Sequence, residues 1–239
     1  FRRRKSESLR ERVRVWLWPR RSFSRSLQYF SKRILRLNAT PHAVAADRYY
    51  YLGYGVVQVI DGATDTIVAC GEQAAQPHQR GTGPLAADQP IVIDLFPADE
   101  LSGYYADMTR TVVRGEPSKE VRGMFEAVRE AKALAISRIR AGVSGAEVHQ
   151  AVADHLASRG YPTEGQAGFT HNLGHGVGLE VHELPTLGPQ GGPLEAGNVI
   201  TVEPGLYLPG VGGVRLEDMG LVTPDGFENF TRFDEELVL

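Results

Sequence analysis

Four carboxylates and one imidazole, Asp94, Asp107, Glu203, Glu217 and His175, stand in or beside short segments suited to presenting them. PIVIDLF (90–96) carries Asp94, ADMTRTVVRG (106–115) carries Asp107, NVITVEPGLY (198–207) carries Glu203 and GVRLEDMGLVT (213–223) carries Glu217. Ionised carboxylates on apolar strands are very costly to bury unless cations offset them, and two divalent ions would balance four such charges. The fold must therefore gather these segments around one charge-compensated centre. For any one of the five a surface position is the ordinary reading, but for all five within paired apolar segments it is not.

The pairing follows from the order of the segments. SGYY (102–105) carries the chain back between the first two, which makes a hairpin with an acid on each arm. The last third repeats this form, so two related halves are expected to face each other with the centre between them. His175 arrives on FTHNLGHGVGLEVHE (169–183), where Gly174, Gly176 and Gly178 permit close backbone approach. Read as a nucleotide loop, GHGVG lacks the strand-to-helix setting and the glycine spacing.

Between the hairpins, Val121, Phe125, Val128, Ala131, Ala135 and Ile139 recur at three- and four-residue steps, predicting a helix over about 118–141 stopped by Gly142. Ser144 and Glu147 form a capping box for a second helix with Val148, Val152 and Leu156 inward, ended by Gly160. Upstream, the run from Tyr49 to Ile60 and DTIVACG (65–71) read as strands. The fold class is α+β.

Charge divides the chain. Residues 1–40 hold 13 Lys+Arg against two acids, whereas residues 41–239 hold 13 against 27, within an overall net charge of −3. The first part reads as a basic, solvated N-terminal extension and residues 41–239 as the folded catalytic domain. The Arg-rich start also admits a nucleic-acid contact, the least favoured alternative, or a membrane-surface or transit-like segment. No apolar run reaches the roughly 20 residues that span a bilayer. Cys70 is the only cysteine. It rules out an intrachain disulfide or a thiolate zinc site and makes the reducing cytoplasm the expected compartment.

The residue types point to a chemistry. Carboxylates can bridge two ions and an imidazole binds one terminally; a donor set so rich in oxygen favours Mn²⁺, Co²⁺ or Fe²⁺ over a structural zinc. Water held between two such ions becomes a nucleophile at neutral pH, and the same ions polarise the carbonyl it attacks, so hydrolysis is the expected reaction. His78, His171 and His182 are further candidates, since imidazoles beside such a centre can relay protons or hold a developing oxyanion.

DTIVACG with its following PH, VIDLFP, YYADMTRT, HNLGHGVGLEVHE, TVEPGLY and GVRLED together resemble the pita-bread metallopeptidases, most closely the Xaa-Pro type that includes aminopeptidase P and prolidase. The likeness covers about residues 63–239. It implies a creatinase/aminopeptidase-like fold: a curved antiparallel sheet flanked by helices, in two pseudo-symmetric halves. It also implies two divalent metal ions, with manganese expected and cobalt, iron or zinc as alternatives, peptide substrates and a homodimer. Asp94, Asp107, His175, Glu203 and Glu217 match the metal ligands, with Asp107 and Glu217 at the bridging positions. Glu203 matches the proton shuttle or general base, and His78 and His182 match histidines that steady the scissile region and the tetrahedral intermediate. His171 matches a pocket-lining histidine, and Arg215 matches a substrate-side arginine that also positions the acids.

Within that superfamily EPGLY and Arg215 favour the Xaa-Pro branch, while a length of 239 residues suits a single-domain methionine aminopeptidase. A catalytically silent peptide-binding module is the remaining alternative. Two features depart from the family pattern. Asp94 and Asp107 are thirteen residues apart where eleven is common, and an even insertion is expected to keep both acids on one face. Residues 1–60 lack the regular helices that usually precede the DTIVACG strand.

Overall fold

The computed structural model describes residues 48–52, 55–59, 66–99 and 102–239. The basic extension and its boundary at residue 40 lie outside these. Strands β1 (Arg48–Leu52) and β2 (Gly55–Val59) form an antiparallel hairpin.

The first half is an antiparallel sheet of β3 (Thr66–Cys70), β4 (Ile91–Leu95) and β5 (Met108–Val112), in that order. β4 is apolar at almost every position because both of its faces are covered. Ile91, Ile93 and Leu95 pack with Val68, Leu85 and Val112, while Val92 packs with Ile67, Ala69 and Ala74 on the other side. Asp94 shares the Val92 face by strand alternation. The register sets Asp94 opposite Thr109, and Asp107 is two residues before Thr109, so both acids belong to one face despite the longer turn.

The two helices among the described residues lie where the periodicity puts them. α1 (Lys119–Arg138) starts at Ser118, whose hydroxyl accepts from the Val121 N–H, and buries Val121, Met124, Phe125, Val128, Ala131 and Ala135. α2 (Gly145–Ser158) buries Val148, Val152 and Leu156. Its cap differs from the expected box: the Ser144 hydroxyl donates to the Gly191 carbonyl and so accepts from Ala146, one residue before the box position. Both helices share one core with Leu173, Leu187, Ile200, Val202, Leu206 and Leu216 of the second half. Fully burying each such side chain contributes about 1.5–3 kcal/mol.

The second half contains β6 (Gly174–Gly176), β7 (Glu183–Leu187), β8 (Val199–Val202), β9 (Gly205–Leu208), β10 (Gly212–Arg215), β11 (Asp218–Val222) and β12 (Phe227–Asn229). Five of them make an antiparallel sheet in the order β12-β11-β8-β6-β7, and β9 and β10 form a separate hairpin. Each of the two long segments expected to be a single strand is divided at its acid. Pro204 has no N–H with which to continue the ladder, so β8 ends before Glu203 and β9 begins after Pro204. β10 ends before Leu216, and the Glu217 N–H crosses to the Thr109 carbonyl of the first half at 3.0 Å. The Thr111 hydroxyl adds two links, donating to the Arg215 carbonyl and accepting from its N–H, each at 2.9 Å. The halves thus join along β5, directly beside the acids.

Two close approaches depend on glycine. A Cβ on Gly213 would lie 1.9 Å from the Ala74 carbonyl oxygen, so glycine lets β10 rest on the 3-10 turn at Gly71–Ala75. At β6, a Cβ on Gly174 would lie 2.1 Å from the Thr201 carbonyl oxygen and one on Gly176 2.3 Å from that of Leu184. These glycines serve the spacing of the sheet around His175. Among the described residues no helix is long and apolar enough to cross a membrane.

Candidate metal centre

Asp94 comes from β4, Asp107 from the residue before β5, His175 from β6, Glu203 from the end of β8, and Glu217 from the break between β10 and β11. Two sheets and the break between β10 and β11 bring Asp107, His175 and Glu217 together, with Glu203 beside His175 and Asp94 close enough for its charge to act on Asp107 and Glu217. The His175 Nδ1 lies 3.0 Å from the Gly176 carbonyl, to which it donates, and this leaves Nε2 toward the acids. Nε2 is 3.1 Å from Glu203 Oε1 and 3.8 Å from Asp107 Oδ2. Asp107, His175 and Glu217 each offer a ligand atom, all within 4.8 Å of one another. Asp94, Asp107 and Glu217 are buried.

The electrostatics show what this cluster lacks. Burial, then the neighbouring carboxylates, push Asp107 and Glu217 well above the ordinary carboxylate range. Burial also raises Asp94, against the pull of Arg215. Glu203 behaves oppositely: burial would raise it, but the hydrogen bond from His175 and the charges of His171, His175 and Arg215 bring it down to about 2. Burial, the largest influence on His175, would lower it, but the bond to Glu203, the charges of Glu203 and Asp94 and the bond to Gly176 together outweigh it and the imidazole is raised. Asp94 Oδ1 and Asp107 Oδ1 are buried and have no hydrogen-bond partner among the described residues. Orphaned carboxylate oxygens, mutual repulsion and a histidine nitrogen turned toward them are a donor set that fits divalent cations.

Arg215 is buried, and its donors go to protein groups: Nε to the Thr109 hydroxyl (3.0 Å), Nη1 to the Pro77 carbonyl (3.0 Å) and the Tyr207 hydroxyl (2.8 Å), and Nη2 to Asp94 (2.7 Å). These bonds tie Arg215 to one candidate ligand, Asp94, and to the Thr109 hydroxyl. His171 Nε2 is 2.9 Å from the Tyr207 hydroxyl. His182 is exposed, with its ring centroid 4.3 Å from that of His175. His78 is exposed, and its charge bears on both His171 and His182.

Sequence reasoning missed three hydroxyls. Thr109 donates to Glu217 Oε2 at 2.7 Å while accepting from Arg215. Thr201 accepts from the His175 N–H at 3.1 Å. Tyr207 bridges Arg215 and His171. Thr109 and Thr201 lie two residues from a ligand candidate, so alternation alone was a usable signal for them. Tyr207 lies beyond the strand break and carried no such signal.

Comparison with known proteins gives the family. The chain is 39% identical over 208 residues to an Xaa-Pro dipeptidase of Lactobacillus delbrueckii subsp. lactis, covering 85% of this chain and 54% of that protein. The Xaa-Pro dipeptidase structure from Bacillus anthracis superposes with a TM-score of 0.69 at 38% identity, over 74% of this chain and 50% of that one. The X-Pro aminopeptidase structure from Thermotoga maritima MSB8 gives 0.69 at 37% identity, over 74% and 51%. The chain therefore spans about half the length of each, and it has their pita-bread fold. The sequence profile of metallopeptidase family M24 matches residues 25–224. With the fold, the relatives and the profile in agreement, the chain belongs to metallopeptidase family M24.

Proposed function

We propose that this centre hydrolyses the amino-terminal bond of peptides whose second residue is proline. Asp94, Asp107, His175, Glu203 and Glu217 would hold two divalent ions, with manganese the expected metal. The observation that carries the reading is the crowding of Asp107, Glu203 and Glu217 around one histidine nitrogen, with Asp94 adding its charge and Asp94 and Asp107 each leaving a buried oxygen orphaned. The names of the relatives, Xaa-Pro dipeptidase and X-Pro aminopeptidase, support the substrate class. Residues 41–239 are the catalytic part in this reading, and the cytoplasm is the compartment expected from a chain with one cysteine.

Divalent ions bound there supply Lewis acidity toward the scissile carbonyl and acidify water. The chain's residues do the rest. Glu203 is ionised across the neutral range and so is free to accept a proton at its Oε atoms, with the low basicity that a pKa of about 2 gives it in the metal-free centre. Although exposed, His182 is partly desolvated beside His175, and that desolvation first, then the charges of His175 and His78, lower its pKa, so it meets substrate as a neutral imidazole able to donate one hydrogen bond to the carbonyl oxygen. His78 shares the exposed side with His182, and His171 lines the pocket wall with its Nε2 held by Tyr207. Arg215 keeps Asp94 and Thr109 in place.

The test uses the purified chain with verified manganese content and two tripeptides, one with proline second and one beginning Met-Ala. Cleavage of the proline peptide alone is expected, and Glu203→Gln should lower kcat by about 10²–10⁴-fold. Cleavage of the Met-Ala peptide alone moves the substrate assignment to a methionine aminopeptidase. Binding of both ions without cleavage supports a peptide-binding module. Light scattering on the same sample tests the homodimer that the resemblance implies.

A further inference from the structure

Behind β5, on the face away from the centre, lies a second buried charge cluster that the reaction does not use. Arg110, Lys132 and Asp218 are each buried, and Glu235 joins them from the C-terminal segment. Asp218 Oδ1 accepts from Arg110 Nη2 at 2.9 Å, and Asp218 Oδ2 accepts from Lys132 Nζ and Asn229 Nδ2, each at 2.7 Å. Lys132 Nζ also donates to Glu235. Such a cluster is weak evidence for stability alone, because desolvating its charges offsets most of their attraction.

Its geometry indicates another role. A single nitrogen, Arg110 Nη1, donates to the carbonyls of Thr109 (2.8 Å) and Glu217 (2.6 Å). Those two residues already meet across the junction through the Glu217 N–H to the Thr109 carbonyl and the Thr109 hydroxyl to Glu217 Oε2. The other donors of Arg110 reach the tail, Nη2 to the Phe233 carbonyl at 3.0 Å and Nε to the Asp234 carbonyl at 3.3 Å. The tail is itself tied to β5, since Val113 donates to Leu237 and Leu239 donates to Val113.

We propose that Arg110 is a positioning residue for the metal centre: its guanidinium pins the backbones of Thr109 and Glu217 together, fixing how the two halves present Asp107 and Glu217 to one another, with Asp218 and residues 233–234 holding it in place. The inference rests on reading the centre as a metal site. Lysine in its place keeps the charge, but its one nitrogen and three donors cannot reproduce five bonds from a planar fork. Arg110 touches none of the ligand side chains and acts through the main chain.

The experiment compares manganese binding to wild type, Arg110→Lys and the paired variant Arg110→Gln/Asp218→Asn by calorimetric titration, with circular dichroism to verify the fold. Cobalt-loaded samples supply a second readout in the visible d–d spectrum, which a purely structural role would leave unchanged. Manganese affinity is expected to fall about 10–100-fold in both variants, with an altered cobalt spectrum. The paired variant removes one charge of each sign, so it keeps the cluster balanced and decides the matter should Arg110→Lys not fold. A folded variant with wild-type affinity and spectrum would overturn the positioning role while leaving the metal centre intact. Wild type that binds no manganese or cobalt would overturn both.

Discussion

Replacing Tyr207 by phenylalanine removes one oxygen from the interior and leaves the ring, which is 1% exposed, in its place. The bonds lost can be assigned from donor chemistry. A guanidinium only donates, so the Tyr207 oxygen accepts from Arg215 Nη1 at 2.8 Å and turns its own proton to His171 Nε2 at 2.9 Å. His171 then carries its proton on Nδ1, which donates to the Asn172 carbonyl at 2.7 Å. A buried bond to a charged donor contributes about 1.5–3 kcal/mol and one between neutral groups about 1 kcal/mol. The upper end is not reached, because Arg215 Nη1 keeps the Pro77 carbonyl and a phenyl ring is easier to bury than a phenol. The expected loss in the Tyr207→Phe variant is about 2–3 kcal/mol, or about 5–10 °C in Tm. Urea unfolding and thermal melts of the metal-free protein measure it, with Tyr104→Phe, at a half-exposed ring, as the control. A Tyr207→Phe variant as stable as the control would refute the bridge between His171 and Arg215.

Two other outcomes follow from the same structure. In the metal-free protein Asp107 and Glu217 have raised pKa values, so the folded form holds more protons than the unfolded form between the ordinary carboxylate range and those raised values. The stability these two carboxylates contribute therefore falls as pH rises through that window. His149, His171 and His182, with lowered pKa values, act in the opposite sense only at and below the ordinary histidine range, so the metal-free Tm should decline as pH rises above that range. Glu203, lowered to about 2, contributes in the opposite sense only below the ordinary carboxylate range. Saturating manganese should remove the decline, and a metal-free Tm that instead climbs toward alkaline pH contradicts the raised carboxylates. Gly213→Ala puts a methyl against the Ala74 carbonyl and should cost about 1–3 kcal/mol or more, whereas Gly192→Ala meets nothing within 4 Å and should be close to neutral by the same urea assay.

Legibility in the sequence followed local periodicity. The helix faces of Val121 to Ala135 and Val148 to Leu156, and the shared face of Asp94 and Asp107, depend only on repeats of 3.6 and 2 and were readable from residue order. The ligand candidates were readable because acids in apolar segments are costly and therefore conspicuous. The breaks at Glu203–Pro204 and Leu216–Glu217 were not, since each segment keeps strand-like composition across its break and only the partner changes. Pro204 was a visible clue to the first. Arg110 and Lys132 were hidden for a different reason: their partners Asp218 and Glu235 lie 86–108 residues away, and no local pattern pairs them. The Ser144–Glu147 spacing predicts a capping box, but the Ser144 hydroxyl donates to the Gly191 carbonyl, 47 residues on, which no local pattern shows.

His175 sits between two positions whose contribution is the absence of a side chain. An added Cβ would lie only 2.1 Å and 2.3 Å from carbonyl oxygens, so the backbone of β6 is fitted to hydrogen atoms at Gly174 and Gly176. Any single-base change at the first or second position of a glycine codon replaces the residue, and here each replacement thrusts a side chain against Thr201 or Leu184. Two residues that bind nothing thus form a genetic target for loss of the centre alongside the ligands themselves.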